Sequence, residues 1–528
     1  MRLLTLSLAA LLTLSATAQW STDPASPMVV CNAANDQAFP RAVADADSGF
    51  YVVWSDLRAN GSLAEIYGQH FDSEGNALWA PNGQLLASRP GKSLNEPAVA
   101  TLADGSLIVA YTIATNWAGA GDTLSAIRVA ADGTPVWPAT ITLLSGSGPY
   151  ARPTLLHSGD ALIAGAFRPS SGGLRLQRFR ADGSITAPAA GAQLGNSYGP
   201  STLEADGVGG CYHTMRLGNG AGAPLRAWRV DSTFTELWTP VTLSDANGLY
   251  YSYATTTGPD ASLTAVWEYS GVLKMNRIDS TGVSQWSPAV LPVCTNPALQ
   301  TNHNTLVHDG ALYVCWRDNR TDSMGLYMQR FDLASGAPQW NTTGVPTIIE
   351  NFYIPTSRLV ASDSGAVIGI MDMSGPSGYS AMRMRADGTT AWDEPVSFAT
   401  NNGPFYAERT ELSDGNGGAV SFWRSFNGDL YGARIYRNGK LYNDVGIREA
   451  AAGSTTLATY PNPAQDAITF DLPASTRIIS MELFDASGRR IGTAHTQRTL
   501  GIQMLHPGLY TARLLTSEGV RTSRFIKQ

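Results

Sequence analysis

Charged residues follow several apolar stretches of this sequence, at spacings that suit recognition of polar ligands. The form Trp-x-Asp-x-Arg occurs twice, at Trp54–Arg58 and Trp316–Arg320. An arginine guanidinium binds carboxylates and other polar groups through two parallel hydrogen bonds, and a neighbouring aspartate can orient it. Ion pairing and packing within the fold are the alternative interpretation of this pattern. The candidate ligand-binding residues that it supplies are Asp56, Arg58, Asp318 and Arg320.

Aromatic residues precede a second set of apolar stretches. Their flat faces suit sugars or peptides, because an aromatic ring offers a large apolar surface. The set comprises Phe39, Tyr150, Tyr198, Tyr250, Tyr251, Tyr353, Phe405 and Tyr406. From it we take as candidate ligand-binding residues Tyr150, Tyr198, Tyr251, Tyr353 and Tyr406.

No motif in the sequence predicts catalysis or metal binding. Gly195–Gly199 reads GNSYG and matches the nucleophile elbow G-x-S-x-G, but that motif requires a strand that leads into a helix. The seven histidines are scattered, and no HExxH or glycine-rich phosphate loop occurs. The acidic turns at Asp45, Asp47 and Asp414 are explained by turn chemistry more simply than by calcium. We therefore assign no catalytic residue and no metal ligand.

A unit of about 52 residues recurs along the chain and positions these residues. It contains a short strand, an Asp/Gly turn, an apolar strand, a variable loop, a third strand and a turn that ends in tryptophan. Residues 71–79 (FDSEGNALW) and 278–286 (IDSTGVSQW) show the last part of the unit. Four short strands fill such a unit, and alternating apolar residues support strands throughout. The repeats predict an all-β fold, a β-propeller.

We count eight repeats between residues 19 and 447, and seven is the alternative if one divergent repeat is misread. The last repeat has no clear fourth strand. The segment from Trp20 parallels the segment from Trp286, including the positions of Cys31 and Cys294. We therefore predict that the N-terminal segment supplies the outermost strand of the last repeat and closes the ring.

The turn that ends in tryptophan resembles the tryptophan-docking repeats of the eight-bladed pyrroloquinoline quinone dehydrogenases, chiefly at Asp279–Trp286. The resemblance implies that each tryptophan packs against the next blade. None of the quinone- or calcium-binding positions of that family can be matched, so we predict no cofactor.

The N-terminus predicts export. Met1 and Arg2 supply a short positive region, Leu3–Leu14 is mostly apolar, and Ala16–Ala18 fits a cleavage site. Residues 1–18 are thus a predicted signal peptide, and no later segment has the length of a membrane helix. The net charge of −7 offers no basic surface for nucleic acid. The four cysteines form no CxxC pair, although an exported protein permits disulfides.

The C-terminus differs from the repeats. After a predicted linker at residues 448–456, residues 457–528 contain short alternating strands between Gly and Pro turns, as in a small β-sandwich. This segment resembles the type A sorting domain of the type IX secretion system of Bacteroidota. The matching residues include Pro461, Asn462, Pro463, Asp485, Gly488, Gly508, Tyr510 and Lys527. His506 departs from the small or polar residue expected before the Pro-Gly pair.

The resemblance implies a targeting signal and not a catalytic activity. It predicts recognition by the type IX machinery at the outer membrane, followed by anchoring at the cell surface or release. For the repeats we expect a non-catalytic role in binding or adhesion, with a glycan or protein ligand. The alternatives are a secreted enzyme that degrades polysaccharide or peptide, and a purely structural surface component. An enzyme would present two carboxylates about 5–9.5 Å apart, for which Glu268, Asp318 and Asp372 are the available loop acids.

Overall fold

A computed structural model describes most of residues 19–442 and 457–528, which excludes the predicted signal peptide and the predicted linker. Within these ranges it does not describe residues 118–119, 169–172, 187–190, 196–200, 217–222, 245–249, 321–323, 351–356, 374–377, 401–403, 474–475, 487–489, 495–496 and 517–518. It also leaves out the side chains of residues 147–148, 250–251, 350, 372–373, 404–407, 490, 493–494, 515 and 519–520. The chain divides into two compact units, Met1–Tyr442 and Asn443–Gln528.

The first unit consists of short strands, as the period-2 alternation predicts. In chain order they are β1 (Met28–Cys31), β2 (Gln37–Ala44), β3 (Phe50–Asp56), β4 (Glu65–Phe71), β5 (Gln84–Ala87), β6 (Ser93–Thr101), β7 (Leu107–Ala114), β8 (Gly121–Val129), β9 (Ile141–Ser158), β10 (Ala161–Phe167), β11 (Leu174–Arg180), β12 (Ala192–Leu194), β13 (Ser201–Ala205), β14 (Cys211–Arg216), β15 (Leu225–Val230), β16 (Val241–Thr242), β17 (Tyr250–Thr257), β18 (Leu263–Tyr269), β19 (Val272–Ile278), β20 (Leu291–Pro292), β21 (Gln300–His308), β22 (Ala311–Asp318), β23 (Met324–Asp332), β24 (Val345–Glu350), β25 (Ser357–Ala361), β26 (Val367–Met373), β27 (Gly378–Met384), β28 (Val396–Ala399), β29 (Pro404–Ser413), β30 (Ala419–Ser425) and β31 (Leu430–Ile435).

These strands form antiparallel sheets that follow the repeats of the sequence. Five sheets contain four consecutive strands each: β2–β5, β13–β16, β17–β20, β21–β24 and β25–β28. Strands β6–β12 form one seven-stranded sheet, in which the long β9 ends one repeat and begins the next. Strand β1 pairs with β31 and completes the sheet of β29, β30 and β31. Within the described residues, the strands thus divide into eight groups of four, with β9 counted twice.

The first strand of each group lies nearest the axis of a closed ring. Each of these inner strands contacts the inner strand of the next group, and β29 contacts β2. The unit is therefore a β-propeller. Because the strands of each group alternate in direction, two kinds of connection lie at the same end of the unit. One kind runs from the fourth, outermost strand of a group to the inner strand of the next group. The other kind runs from the second strand of a group to its third strand. We call this end the loop face.

Tryptophans link most repeats to the next one, as the sequence predicts, whereas the turn after β11 contains no tryptophan. The indole N–H of Trp79 donates to the carbonyl oxygen of Ala131 in the next repeat at 2.9 Å. Trp20 makes the same contact with the carbonyl oxygen of Ser73 and so joins the N-terminal segment to the first repeat. The other tryptophans that donate to a carbonyl oxygen of the following repeat are Trp137, Trp238, Trp286, Trp340 and Trp392.

A glycine in the neighbouring turn makes room for the indole. Gly75 has a φ of +83°, and a Cβ atom at this position would lie 3.0 Å from the Trp20 ring. Both the left-handed backbone and the close approach require glycine there. This explains why the repeated turn contains glycine before its tryptophan.

Burial separates the inner strands from the second strands. Every residue of β3 and β7 is buried, because these strands have sheets on both sides. The inner strands β2 and β21 instead contain several half-buried residues, which is the pattern of strands that line an axial channel. Polar side chains on these inner strands are therefore partly exposed to solvent.

The second unit is a β-sandwich. Its strands are β32 (Thr459–Tyr460), β33 (Ala467–Phe470), β34 (Ile478–Phe484), β35 (Arg490–Ala494), β36 (Thr499–Gly501), β37 (Gly508–Thr516) and β38 (Gly519–Lys527). One sheet has the order β32-β33-β36 and the other has the order β35-β34-β37-β38. Ile468, Phe470, Ala512, Leu514 and Phe525 pack between the two sheets in a core of their own.

Candidate functional site

The first Trp-x-Asp-x-Arg motif forms a buried cluster between repeats. Asp56 is fully buried at the end of β3, where it accepts the Trp54 indole N–H at 2.7 Å and an Arg58 guanidinium N–H at 2.6 Å. The guanidinium lies 3.8 Å from the Tyr67 ring centroid and 3.1 Å from Cys31 Sγ. Burial opposes the charge of Arg58, but the hydrogen bond and charge of Asp56 outweigh it and raise the pKa of Arg58.

The second motif repeats this arrangement closely. Asp318 is fully buried, accepts the Trp316 indole N–H at 3.1 Å and binds the Arg320 guanidinium Nε–H at 3.0 Å. The guanidinium lies 4.0 Å from the Tyr327 ring centroid and 3.4 Å from Cys294 Sγ. In both copies the cysteine belongs to the preceding repeat. The two motifs therefore join neighbouring repeats, and their carboxylates are already bonded within the protein.

The aromatic candidates from the sequence are placed differently. Tyr150 is fully buried in a core cluster with Leu143 and Leu144, so it does not face a ligand. Tyr198 and Tyr353 lie outside the described residues, as do residues 196–199 of the GNSYG segment. Strands β17 and β29 contain Tyr251 and Tyr406, whose side chains are also outside the description.

The acidic turns between first and second strands make internal bonds. The Asp45 carboxylate lies 2.7 Å from His70 Nε2 and accepts the Gly49 N–H. Asp414 pairs with Arg434 at 2.8 Å and accepts the Gly418 N–H. In the part of the chain that the structure describes, no group of three or more His, Cys, Asp or Glu side chains could hold a metal ion. All four cysteines are buried and free.

In the described part of the chain, strands β2, β6, β9 and β21 share a strained bulge at the loop face. Their pairing with the second strands shifts register near this end, for example between Ala38 and Arg41. A residue of the bulge adopts the left-handed backbone region, which non-glycine residues rarely occupy. The residues concerned are Phe39 (φ 54°), Glu96 (φ 52°), Arg152 (φ 51°) and Asn302 (φ 49°). Such backbone strain collects at ligand-binding sites, where the surrounding structure maintains it.

Two of these bulges are held by carboxylates. Glu408 Oε2 accepts the backbone N–H of Phe39 at 2.8 Å, and Glu96 Oε2 accepts that of Arg152 at 2.7 Å. Glu408 also lies 3.3 Å from the guanidinium of Arg424. Burial raises the pKa of Glu408, although the Phe39 N–H and nearby arginines act in the opposite direction. These carboxylates thus fix the shape of the loop face.

An aromatic pair lies at the same end of the unit. The rings of Phe39 and Trp117 have centroids 5.7 Å apart and an interplanar angle of 48°. Phe39 is the third residue of β2, the first inner strand, whereas Trp117 lies in the connection between β7 and β8 of the next repeat. Both side chains are half-buried, so their faces remain partly accessible to solvent.

A small pocket of about 140 Å³ lies in the neighbouring part of the loop face. It is formed by Asn60, from the connection between β3 and β4, by Glu65 at the start of β4, and by Arg89 and Lys92, from the connection between β5 and β6. The sequence patterns pointed to these two kinds of connection but not to these residues. Trp117 was missed because it lies well inside its loop, beyond both sequence patterns.

The sorting-signal residues of the second unit come together at its last strand. The side-chain amide of Asn462 donates to the Arg524 carbonyl oxygen at 3.0 Å and accepts the Ile526 N–H at 2.8 Å. This places the exposed Pro461 and Pro463 beside β38. Gly508 pairs with Lys527 across β37 and β38.

The remaining signal residues are divided between core and surface. Tyr510 is buried, stacks on Phe525 with ring centroids 5.7 Å apart, and donates to the His506 carbonyl oxygen. Asp485 is half-buried after β34, and Gly488 lies outside the described residues. Most of the signal residues therefore maintain one corner of the sandwich.

Comparison with known families identifies the second unit. Residues 458–528 match the secretion system C-terminal sorting domain. This domain directs type IX secretion, so the protein is delivered to the cell surface or secreted and interacts with the secretion machinery. No curated protein matches the chain. Among the described residues, no helix has the length and apolar character needed to cross a bilayer.

Solved structures resemble the chain only distantly. A protein of unknown function from Dyadobacter fermentans is 11% identical with a TM-score of 0.34, and the match covers 76% of this chain and 95% of that one. An ulvan lyase is 9% identical with a TM-score of 0.40, over 66% of this chain and 96% of the lyase. Oligopeptidase B from Leishmania major is 9% identical with a TM-score of 0.43, and the match covers 74% of this chain and 53% of the peptidase.

Proposed function

We propose that residues 19–447 form a non-catalytic glycan-binding module that the type IX system delivers to the cell exterior. In this proposal residues 1–18 are a signal peptide for the first export step, and residues 448–456 link the module to the sorting domain at residues 457–528. The observation that carries the proposal is the Phe39–Trp117 pair at the loop face. Two partly accessible rings at an angle offer apolar surfaces of the kind that stack on sugar rings.

The environment of the pair supports a preformed site. Phe39 has left-handed backbone geometry, and Glu408 fixes its amide by a 2.8 Å hydrogen bond. Arg89 and Lys92 of the nearby pocket add hydrogen-bond donors on the same face, and Lys92 already donates to Thr115 of the loop that contains Trp117. A site that is rigid before the ligand arrives loses less entropy on binding.

The described acids of the loop face support binding rather than catalysis. Hydrolysis of a glycosidic bond requires one carboxylate to give up or accept a proton freely and a second to act across the bond. Asp56 and Asp318 are instead buried beside arginines, and Glu96 and Glu408 hold backbone amides. Glu268 is buried near Ser252, and the side chain of Asp372 lies outside the description.

A glycan array with the purified protein tests this proposal. The double variant Phe39→Ala/Trp117→Ala should lose at least about tenfold in affinity for every glycan bound by the wild type, because each ring contributes on the order of 1 kcal/mol. Tyr442→Ala removes an exposed aromatic residue from the opposite end of the unit and is the matched control. Binding that persists in the double variant, or release of degradation products from a bound polysaccharide, would contradict the proposal.

A further inference from the structure

Two arginines occupy equivalent positions on inner strands of the propeller. Arg41 on β2 lies opposite Val53, and Arg358 on β25 lies opposite Ile370, in each case the fourth residue of the second strand. Strands β2 and β25 both contact β29, so the two arginines flank the same inner strand. Each side chain is half-buried, as expected for a group that faces the axial channel.

Neither arginine has an acidic partner among the described residues. The Arg41 guanidinium donates to the Pro40 carbonyl oxygen at 3.0 Å, and the Arg358 guanidinium donates to the Ser357 carbonyl oxygen at the same distance. No described carboxylate lies within 4.0 Å of either side chain. Arg409, on β29 between them, differs because it has an acidic partner. Its Nε lies 3.0 Å from Glu411 Oε1.

The acids nearest to Arg41 are engaged elsewhere. Glu408 and Glu96 are close enough to act on its charge, but they accept the amides of Phe39 and Arg152. Burial lowers the pKa of Arg41 and of Arg358, and repulsion from Arg358 lowers that of Arg41 further. A partly buried charge without an acidic partner contributes little to the stability of a fold, so a role in ligand binding accounts better for these two arginines.

We infer that Arg41 and Arg358 bind the anionic group of an acidic sugar, a carboxylate or a sulfate ester, whose ring stacks on Phe39 and Trp117. The guanidinium fork matches the two oxygens of either group. Phe39 lies two residues before Arg41 on the same strand, so the aromatic surface and the positive charge belong to the same short segment of β2. This inference rests on the proposed function, because it names the class of glycan that the loop face recognises.

Calorimetric titration at constant ionic strength tests the inference. The probes are an oligosaccharide that contains glucuronic acid, its neutral glucose counterpart and sodium sulfate. The wild type should bind the acidic oligosaccharide at least about a hundredfold more tightly than Arg41→Gln/Arg358→Gln, since each charge-assisted contact contributes roughly tenfold. Arg180→Gln, at an exposed ion pair outside the channel, should bind like the wild type. Melting temperatures verify that each variant is folded.

The outcomes separate this inference from the proposed function. If neutral and acidic oligosaccharides bind equally and only Phe39→Ala/Trp117→Ala loses affinity, the glycan-binding function remains and the inference is wrong. If sulfate binds as tightly as the acidic oligosaccharide, a free anion is the ligand and the sugar assignment is wrong. An affinity for the acidic probe that is unchanged in Arg41→Gln/Arg358→Gln overturns the inference directly.

Discussion

Two groups of arginines in the propeller show how the same side chain serves opposite purposes. Arg58 and Arg320 lie between outer parts of neighbouring repeats, and each binds a buried aspartate. Arg41 and Arg358 lie on inner strands without an acidic partner among the described residues. Where the charge is neutralised within the protein, the arginine maintains the fold. Where it is not, the charge is available for a ligand.

The largest effect on stability is expected when the aspartate partner of Arg58 or Arg320 is removed. Asp56→Ala or Asp318→Ala should each lower the free energy of unfolding by about 3 kcal/mol, because the variant leaves a buried guanidinium and an indole N–H without their acceptor. Urea unfolding followed by tryptophan fluorescence measures the loss. Asp182→Ala, in an exposed turn, should leave the urea midpoint nearly unchanged. Equal urea midpoints for Asp56→Ala and the wild type would show that the buried aspartate–arginine pair does not stabilise the fold.

A buried histidine extends the comparison to acid pH. His213 is fully buried, its ring nitrogens have no partner among the described residues, and burial lowers its pKa to about 3. The unfolded chain protonates this histidine near pH 6.5, so the contribution of the neutral ring to stability is lost as the pH falls from 6.5 towards 3. His213→Leu should therefore reduce the loss of stability between pH 7 and pH 4 by roughly 2–3 kcal/mol. An unchanged pH profile in urea unfolding would contradict this assignment.

A glutamate gives the reverse dependence. Glu204 on β13 accepts a hydrogen bond from Thr255 at 3.0 Å, and burial raises its pKa to about 7. The folded protein retains a proton that the unfolded chain loses near pH 4.5, so stability is lost as the pH rises from 4.5 through 7. Glu204→Gln should be more stable than the wild type by about 1–3 kcal/mol at pH 8, with little difference at pH 4. Equal stability at both values would show that the carboxyl is well solvated.

The smallest effect on stability is expected for Arg41 and Arg358, the axial arginines. Replacing Arg41 and Arg358 by glutamine removes two charges without an acidic partner, so the free energy of unfolding should change by less than about 1 kcal/mol or increase. Guanidinium chloride is unsuitable here because its chloride ions compete for an anion site and its ionic strength screens the charges, so urea is used. A loss as large as that of Asp56→Ala would show that the axial arginines also maintain the fold.

The sequence supports much of the fold because the repeated elements are local. The turn around Gly75 and the tryptophans that dock on the next repeat can be recognised in short segments. The sorting domain can likewise be recognised from residues that meet at its last strand, such as Asn462 and Lys527.

The site is less accessible from sequence because it depends on distant contacts. Glu408 holds the Phe39 amide across 369 positions of the chain. Only the structure shows that Glu408 bonds to this amide and not to Arg41, although its charge still acts on Arg41. The amino-acid sequence at Asp56 and Arg58 is equally compatible with a ligand site and with an internal ion pair. The direction of the aspartate towards the Trp54 indole decides between them.

The most direct test is the change in melting temperature that the acidic oligosaccharide produces in three proteins. At a concentration near 100 times the dissociation constant, a ligand stabilises the folded state by about 2.7 kcal/mol. We predict that it raises the melting temperatures of the wild type and Asp56→Ala by similar amounts and leaves that of Arg41→Gln/Arg358→Gln nearly unchanged, because a hundredfold weaker ligand stabilises that variant by only about 0.4 kcal/mol. An equal increase in all three proteins would contradict the assignment of the axial arginines as the ligand-binding pair.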